Sequence, residues 1–546
     1  TMRKYPFIII PIILFLFLAF KTVEQDDRYF QIVKSLDVFT TLFKEVNAYY
    51  VAEINPTELM KIGIDAMLSS LDPYTDYIPE DDIEDYRTMT TGEYGGIGAV
   101  IEKKGGINTV VMPYKNAPAA RSGLLIGDQI LKINNIALSG KKAYEISNLL
   151  KSQVNTQITM EIKRMNKPEV FEISLVTEKI VIKNVPYAGL VKAGVGYIKL
   201  TDFTTNAGKE VSEALKELTQ QGVSKLILDL RGNPGGLLNE AINVSNIFIP
   251  KGAEIVSTKG KLEEWTKVYN TKNQSIDAKI PLVVLIDERS ASAAEIVAGV
   301  VQDYDRGVLV GRKTYGKGLV QQTRPLAYNA QLKVTTAKYY IPSGRCIQAI
   351  DYGTKGTAKI ADSLKSTFRT SSGRAVLDGG GIDPDILIDS STFAVVSYKL
   401  KQKNLIFNYA TKYYFDHDTL ASARDFELSE PEFQQFLAWL EHQSFDYQTP
   451  LEIKLEQALD LAKPGARSEQ VHQSIIELNA LLQSEKKKDL IHHESEIKQL
   501  LKQDIVSRYF FQEGIIEASF DTDLDILKAV EILEDTESYN GLLKPN

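Results

Sequence analysis

A multidomain α/β fold with a parallel-rich central sheet is what this 546-residue sequence predicts, on three observations. Between residues 190 and 345 apolar runs (KLILDLR, PLVVLID, GVLVG) alternate with amphipathic stretches (AGKEVSEALKELTQQG, SAAEIVAGVVQDY). Strands apolar on both faces, joined through helices, are the pattern of a buried sheet whose crossovers keep neighbours parallel. The flanks differ from this middle: residues 91–178 are glycine-rich with alternating faces, and residues 391–546 are helical and glycine-poor. A hydrophobic fraction of 44% and a charged fraction of 25% are globular values that exclude wholesale disorder and multi-span membrane classes.

The remaining composition narrows the chemistry. A net charge of −8 offers no basic footprint for nucleic acid. The single cysteine, Cys346, excludes an intramolecular disulfide and a multi-cysteine metal site, and no cofactor or metal is expected. The five histidines are His417, His442, His472, His492 and His493, so chemistry performed by residues 1–400 proceeds without imidazole.

Residues 1–24 hold Arg3 and Lys4, the uncharged run YPFIIIPIILFLFLAF (5–20), then Glu24, with Asp26 and Asp27 beyond. Basic residues before an apolar run and acidic ones after it describe an export signal or N-terminal anchor. Sixteen residues with two prolines are short of the roughly 20 a spanning helix needs. The expectation is a periplasmic or otherwise extracytoplasmic chain tethered to the inner membrane. Residues 25–90 form a helical region: apolar residues recur at helical spacing in RYFQIVKSLDVFTTLFKEVNAYYV, and Asn-Pro opens NPTELMKIGIDAMLSSL.

Within residues 91–178, EYGGIGAV reads as a glycine-rich turn leading into strands, and QITMEIKRMNKPEVFEISLV as a hairpin. GGIGA followed by APAARSGLLIGDQILKINN resembles a PDZ domain. The resemblance implies that Gly96, Ile97 and Gly98 form a loop whose N–H groups receive a peptide's terminal carboxylate, while an adjacent strand edge pairs with the peptide. The implied partners are protein or peptide substrates with accessible C-termini.

In residues 179–390, two strand-to-helix junctions carry the chemistry. LDLRGNPGGLL places a glycine pair after a strand, exposing N–H groups suited to an anionic oxygen. LIDERSASAAEIVAG places Ser290 and Ser292 at a helix start, where serine is either a cap or a nucleophile beside an oxyanion-stabilising N–H. Glu295 fits the first helical turn as a partner of the helix dipole. A nucleophilic serine needs a base, and with no histidine before His417 the base is a lysine. Lys317 lies between Gly316 and Gly318, 25 residues after Ser292, enough for one helix, one strand and a turn. Burial would have to lower its pKa for it to act near neutrality. Gln321 is placed to orient its amine. GRKTYGK also matches the first seven positions of a P-loop, but Gly318 stands where a magnesium-binding Ser or Thr is required.

GGIGA, DLRGNPGG, ERSASAAEI and YGKGLVQQ, in this order, resemble the carboxyl-terminal processing (tail-specific) proteases over about 350 residues, to GGGIDPDI. The resemblance implies a crotonase/Clp-like protease core and a serine endopeptidase. By similarity Ser292 is the nucleophile, Lys317 the general base and Gln321 its orienting residue, and the N–H groups of Gly236 and Ala293 form the oxyanion hole. Two departures are visible: Ala294 stands where the family often has a third serine, and Tyr74 where relatives commonly show histidine. The competing class is a non-catalytic PDZ scaffold with a vestigial protease core.

Cys346, after the strand-like TTAKYYIPSGR, reads as a packing residue, and residues 351–378 as an exposed excursion. In residues 391–546, SEPEFQQFLAWLEHQ opens with a Ser-x-x-Glu cap pattern, and adjacent His492 and His493 diverge too far around a helix to share a metal. Amphipathic length there raises self-association into a homo-oligomer as an expectation.

Overall fold

The computed structural model describes residues 6–352, 358–389, 393–461, 469–486 and 488–545. The side chains of residues 1–26, including those of the apolar run expected to be a signal or anchor, are not described. No helix among those described is long and apolar enough to cross a membrane. Residues 1–77 with 332–334 form one compact unit, and residues 78–331 with 335–546 another.

In the first unit, the expected boundary near residue 24 falls inside one continuous helix, Pro6–Tyr49. The helix Pro56–Ser69 begins as its sequence dictates. Pro56 needs no hydrogen-bond acceptor at the first position, and Asn55 Oδ1 accepts from the N–H groups of Thr57 and Glu58 at 3.1 and 3.3 Å.

The second unit is built on a six-stranded sheet, in the order Tyr187–Lys192, Val195–Lys199, Lys225–Asp229, Leu282–Ile286, Val308–Gly311, Ile386–Leu387. The first pair is antiparallel and the other four are parallel, with Asp229 opposite Leu285 and Ile286 opposite Gly311. Alternation along the strands divides the core in two. Leu226, Leu228, Leu282, Val284 and Ile286 pack with helices Ala207–Gln220, Leu238–Phe248 and Ala293–Asp303. Tyr197, Ile227, Val283, Leu285, Val308 and Val310 face Phe520, Ile526, Ala529, Ile532 and Leu533 instead. The second face of the sheet is thus covered by helix Leu524–Glu534, drawn from the stretch read in the sequence as a separate extension.

Strands Ala99–Lys104, Ile107–Pro113, Gln129–Ile133, Gln157–Lys163 and Phe171–Val176 form an antiparallel sheet with helix Ala143–Leu150, around Val110, Ile130, Ile146, Ile158 and Met160. Residues 358–377 include the hairpin Thr367–Arg369/Ala375–Leu377. The expected excursion is tied down here, because Arg374 pairs with both Asp305 and Asp385 at 2.6 Å. The C-terminal helices enclose Tyr409, Phe433, Phe436, Leu501 and Ile505. Among them Ser429 caps Glu430–Glu441, and Glu432 Oε2 accepts from the Ser429 N–H at 2.8 Å, as the Ser-x-x-Glu pattern requires.

Candidate active site

Three segments meet at the ends of strands Lys225–Asp229, Leu282–Ile286 and Val308–Gly311. The first, residues 230–237, leaves its strand and enters helix Leu238–Phe248 only after the glycine pair, so Gly235 and Gly236 lie before the helix instead of opening it. Their placement comes from a bridge to Phe203. Phe203 N–H donates to Gly235 O at 3.0 Å and Leu237 N–H to Phe203 O at 2.8 Å. In this parallel pattern the Gly236 N–H points away from the strand. Asn233, fully buried, braces the turn: its amide donates to Leu200 O and its Oδ1 accepts from Gly235 N–H.

Both glycines are required. Gly236 has φ +146°, and a Cβ there would lie 2.4 Å from Phe203 O. Gly235 has φ +99°, and its Cβ would lie 2.7 Å from Ala291 O, 2.8 Å from Ser292 Cβ and 2.9 Å from Ala293 N. Gly235 is therefore pressed directly against the Ser292 turn, and Gly236 against Phe203.

That turn is the second segment. Of the two candidate serines, Ser290 is structural: buried, it donates through Oγ to Leu230 O at 2.8 Å and accepts from Asp287 N–H. Ser292 is half-buried at the head of helix Ala293–Asp303, with φ 55° and ψ −112°. A non-glycine residue held there stores about 1–3 kcal/mol and persists only when its surroundings impose it. They do so through Glu295, whose Oε2 accepts from the Ser292 N–H at 2.8 Å, and through Ala291, whose N–H donates to Asn233 O.

The third segment carries Lys317, half-buried, between Gly316 and Gly318. Its N–H also donates to Glu295 Oε2, at 2.9 Å, while Oε1 of the same carboxylate accepts from Gly316 N–H at 2.7 Å and Thr314 Oγ1 at 2.6 Å. Tyr339, buried, donates its hydroxyl to Lys317 O at 2.7 Å, with Ser292 O 3.2 Å away. Tyr315 N–H donates to Ser290 O. The Ser292 and Lys317 N–H groups thus converge on the Glu295 carboxylate, with Gly235 packed against Ser292 and Ala293. Gln321 follows on strand Leu319–Pro325, and its amide donates to Thr335 Oγ1 at 3.1 Å.

Glu295 is the residue the sequence reading undervalued. It is no surface partner of the helix dipole: it is fully buried and accepts four hydrogen bonds. Burial pushes its carboxyl up to about 7 against the pull of those donors. The detectable signal was the Ser-x-x-Glu spacing of a capping box, which brings the carboxylate back to the Ser292 N–H. Cys346 keeps its packing role, and burial raises its thiol above the usual range. Among the described residues no group of three or more His, Cys, Asp or Glu side chains converges as metal ligands would.

Gly96, Ile97 and Gly98 lie elsewhere, where Ile97 borders a groove of about 420 Å³ between strand Ala99–Lys104 and helix Ala143–Leu150. Ile97, Ala99, Ile101, Ile146 and Leu150 line it, with Lys103 and Lys151 also on its walls. Ala99–Lys104 stands at the end of its sheet's strand order, an edge available for pairing. Ile97 O and Gly98 O are occupied by the N–H groups of Ala119 and Tyr114, and the ring of Tyr94 lies against Gly96.

Comparison with known proteins gives three matches along the chain: Peptidase family S41 over residues 194–360, a PDZ domain over 109–164, and the probable PDZ-protease C-terminal helical domain over 396–533. The chain is 38% identical over 321 residues to the carboxy-terminal-processing protease of Bartonella bacilliformis, covering 58% of this chain and 73% of that one. It is 34% identical over 317 residues to a probable CtpA-like serine protease of Staphylococcus aureus, covering 57% and 62% respectively. Among solved structures it is similar to the photosystem II D1 C-terminal processing protease at 25% identity. That match covers 64% of this chain and 92% of that one, with a TM-score of 0.35.

Proposed function

This chain belongs to the carboxy-terminal-processing protease family, within Peptidase family S41, and is a serine peptidase; on that premise we propose that it works through a Ser292–Lys317 dyad. The observation that carries the proposal is the convergence of the Ser292 and Lys317 main chains on Glu295 Oε2, with Gly235 packed against Ser292.

In this reading the neutral Lys317 amine takes the Ser292 Oγ proton as the oxygen attacks the scissile carbonyl. The resulting oxyanion accepts from the N–H groups of Gly236 and Ala293, fixed before substrate arrives. Lys317 then gives the proton to the leaving amine, and water releases the acyl group by the same steps. Gln321, four residues further on, is assigned by family resemblance to orient the lysine, while its amide donates to Thr335 Oγ1. The crotonase/Clp-like description of the core is part of this proposal and rests on the family membership.

The groove beside Ile97 supports recognition of a substrate's C-terminal end, its carboxylate at Gly96–Gly98 and its backbone added to strand Ala99–Lys104. The charge pattern around residues 5–20 supports exported proteins as substrates. A vestigial scaffold is disfavoured, because a core without chemistry has no need to hold Ser292 in a strained conformation. Incubating the purified chain with an unstructured polypeptide, beside Ser292→Ala, tests the proposal. Cleavage by the wild type alone is the expected result, and equal cleavage by both refutes it.

A further inference from the structure

The loop that ends in Gly236 begins at Arg231, and Arg231 is held from an unexpected direction. Its Nε and Nη2 lie on Asp229, at 3.1 and 2.6 Å. Its Nη1 lies on two carboxylates nearly 300 residues away: Asp523, through both oxygens at 2.9 Å, and Asp525 at 2.8 Å. Asp523 is also the N-cap of helix Leu524–Glu534, accepting from the N–H groups of Asp525 and Ile526. That helix is clamped to the sheet by Ile526, Ala529, Ile532 and Leu533.

Around the guanidinium the charges interlock. Asp229 is fully buried, and although burial pushes its carboxyl up, Arg231 and Lys199 hold it below the usual carboxylate range. Tyr197 Oη donates to Asp229 at 2.6 Å, Lys199 donates to Arg231 O at 2.7 Å, and Arg312 lies 3.7 Å from Asp525.

The apolar face of Leu524–Glu534 suffices to attach the helix. Buried ion pairs add little net stability over apolar packing, but they fix geometry where a planar fork meets carboxylates. The geometry fixed here is the start of the oxyanion loop. From Arg231 the chain passes to Gly232, whose N–H donates to Asp287 Oδ1. It continues to Asn233, bonded to Leu200 and Ala291, and then to Gly235 against Ser292.

We infer that Asp523 and Asp525 are positioning residues for catalysis: through Arg231 the C-terminal helical region sets the place of the Gly236 N–H relative to Ser292. The inference rests on the reading of Ser292 and Gly236 given above. It assigns to residues 520–534 a role in turnover that is separate from substrate capture in the groove beside Ile97.

The test uses the full chain carrying Asp523→Asn with Asp525→Asn, changes that keep an N-cap acceptor and remove the charge. An oxyanion donor is worth about 10²–10³ in rate, and partial misplacement should cost about tenfold in kcat. KM for a fixed unstructured substrate should stay within about twofold, and labelling of Ser292 by a fluorophosphonate should slow in parallel. Arg231→Lys, a point charge that cannot fork, should lower kcat similarly, and the combined variant should lose no more than either alone. Unchanged kcat in the Asp variants overturns the inference, as does fully additive loss with Arg231→Lys. So does a fall in Tm with normal kcat per folded molecule. Ser292→Ala, run in parallel, separates the two levels. If it is inactive while the Asp variants are fully active, the positioning role alone fails; if it is active, the reading beneath it fails as well.

Discussion

The N–H groups of Ser292 and Lys317 donate to one and the same oxygen, Oε2 of Glu295, at 2.8 and 2.9 Å. Two turns 25 residues apart are thereby held at a separation set by a single buried atom. Tyr339 repeats the link through the two carbonyls. The main chains of the two residues proposed as nucleophile and base are thus registered to each other.

Glu295→Gln should lower kcat by about 10–100-fold, because an amide NH₂ must face donors where a carboxylate oxygen accepted them. The residue volume is unchanged, so steady-state kinetics together with a far-ultraviolet circular dichroism spectrum separates this effect from unfolding. Normal kcat in a folded Glu295→Gln chain would remove Glu295 from the site's architecture.

The same carboxyl predicts a stability trend. Its folded pKa is about 7, raised by burial from 4.5. Between those values the folded chain holds a proton that the unfolded chain has released. Glu295 therefore favours folding most at the acid end, and its contribution declines as pH rises from about 4.5 to 7 and is level above. The full swing is about 3 kcal/mol. Denaturant midpoints measured across this window for wild type and Glu295→Gln should differ in slope, and parallel curves would contradict the assignment.

Lys317→Ala should abolish cleavage with little change in Tm, since no histidine lies before His417 to replace the base. In the wild type the rate should fall on acidification as the amine protonates, and a rate that is flat from pH 9 to pH 5 would exclude a lysine base.

Gly235→Ala should damage both stability and activity. The added Cβ would sit within 2.9 Å of Ala291 O, Ser292 Cβ and Ala293 N, at φ +99°. A loss of about 2 kcal/mol or more, read from chemical unfolding, should accompany a larger loss of kcat than of substrate affinity.

A peptide with an apolar C-terminal residue should bind the inactive Ser292→Ala chain one to two orders of magnitude more tightly as the free acid than as the amide. Charge-assisted hydrogen bonds contribute roughly 1.5–3 kcal/mol each, and about 1.4 kcal/mol is tenfold. Titration calorimetry of the two forms decides the matter, and equal affinities would exclude carboxylate recognition by Gly96–Gly98.

Much of the proposed site could be named from the sequence because its signals are local. The absence of histidine before residue 400 points to lysine, and glycines on both sides of Lys317 single out that lysine. Glu295 was named but misjudged, since a glutamate in a first helical turn is usually solvated and only tertiary packing reveals that it is buried. The Arg231–Asp523 contact spans 292 residues and leaves no periodic trace in the sequence. Likewise, helix Leu524–Glu534 was legible as a helix, but the surface it covers was not, because amphipathicity gives a face without naming its partner.

The covering of the sheet by that helix has a consequence for how the molecule comes into being. Tyr197, Ile227, Val283 and Val308 are made well before Phe520–Leu533, with the Leu282–Ile286 strand preceding Phe520 by roughly 230 residues. During vectorial synthesis this apolar surface waits uncovered, a target for holdase chaperones and a seed for aggregation. Arg231 waits with it for two of its carboxylate partners, because Asp523 and Asp525 arrive with the same helix.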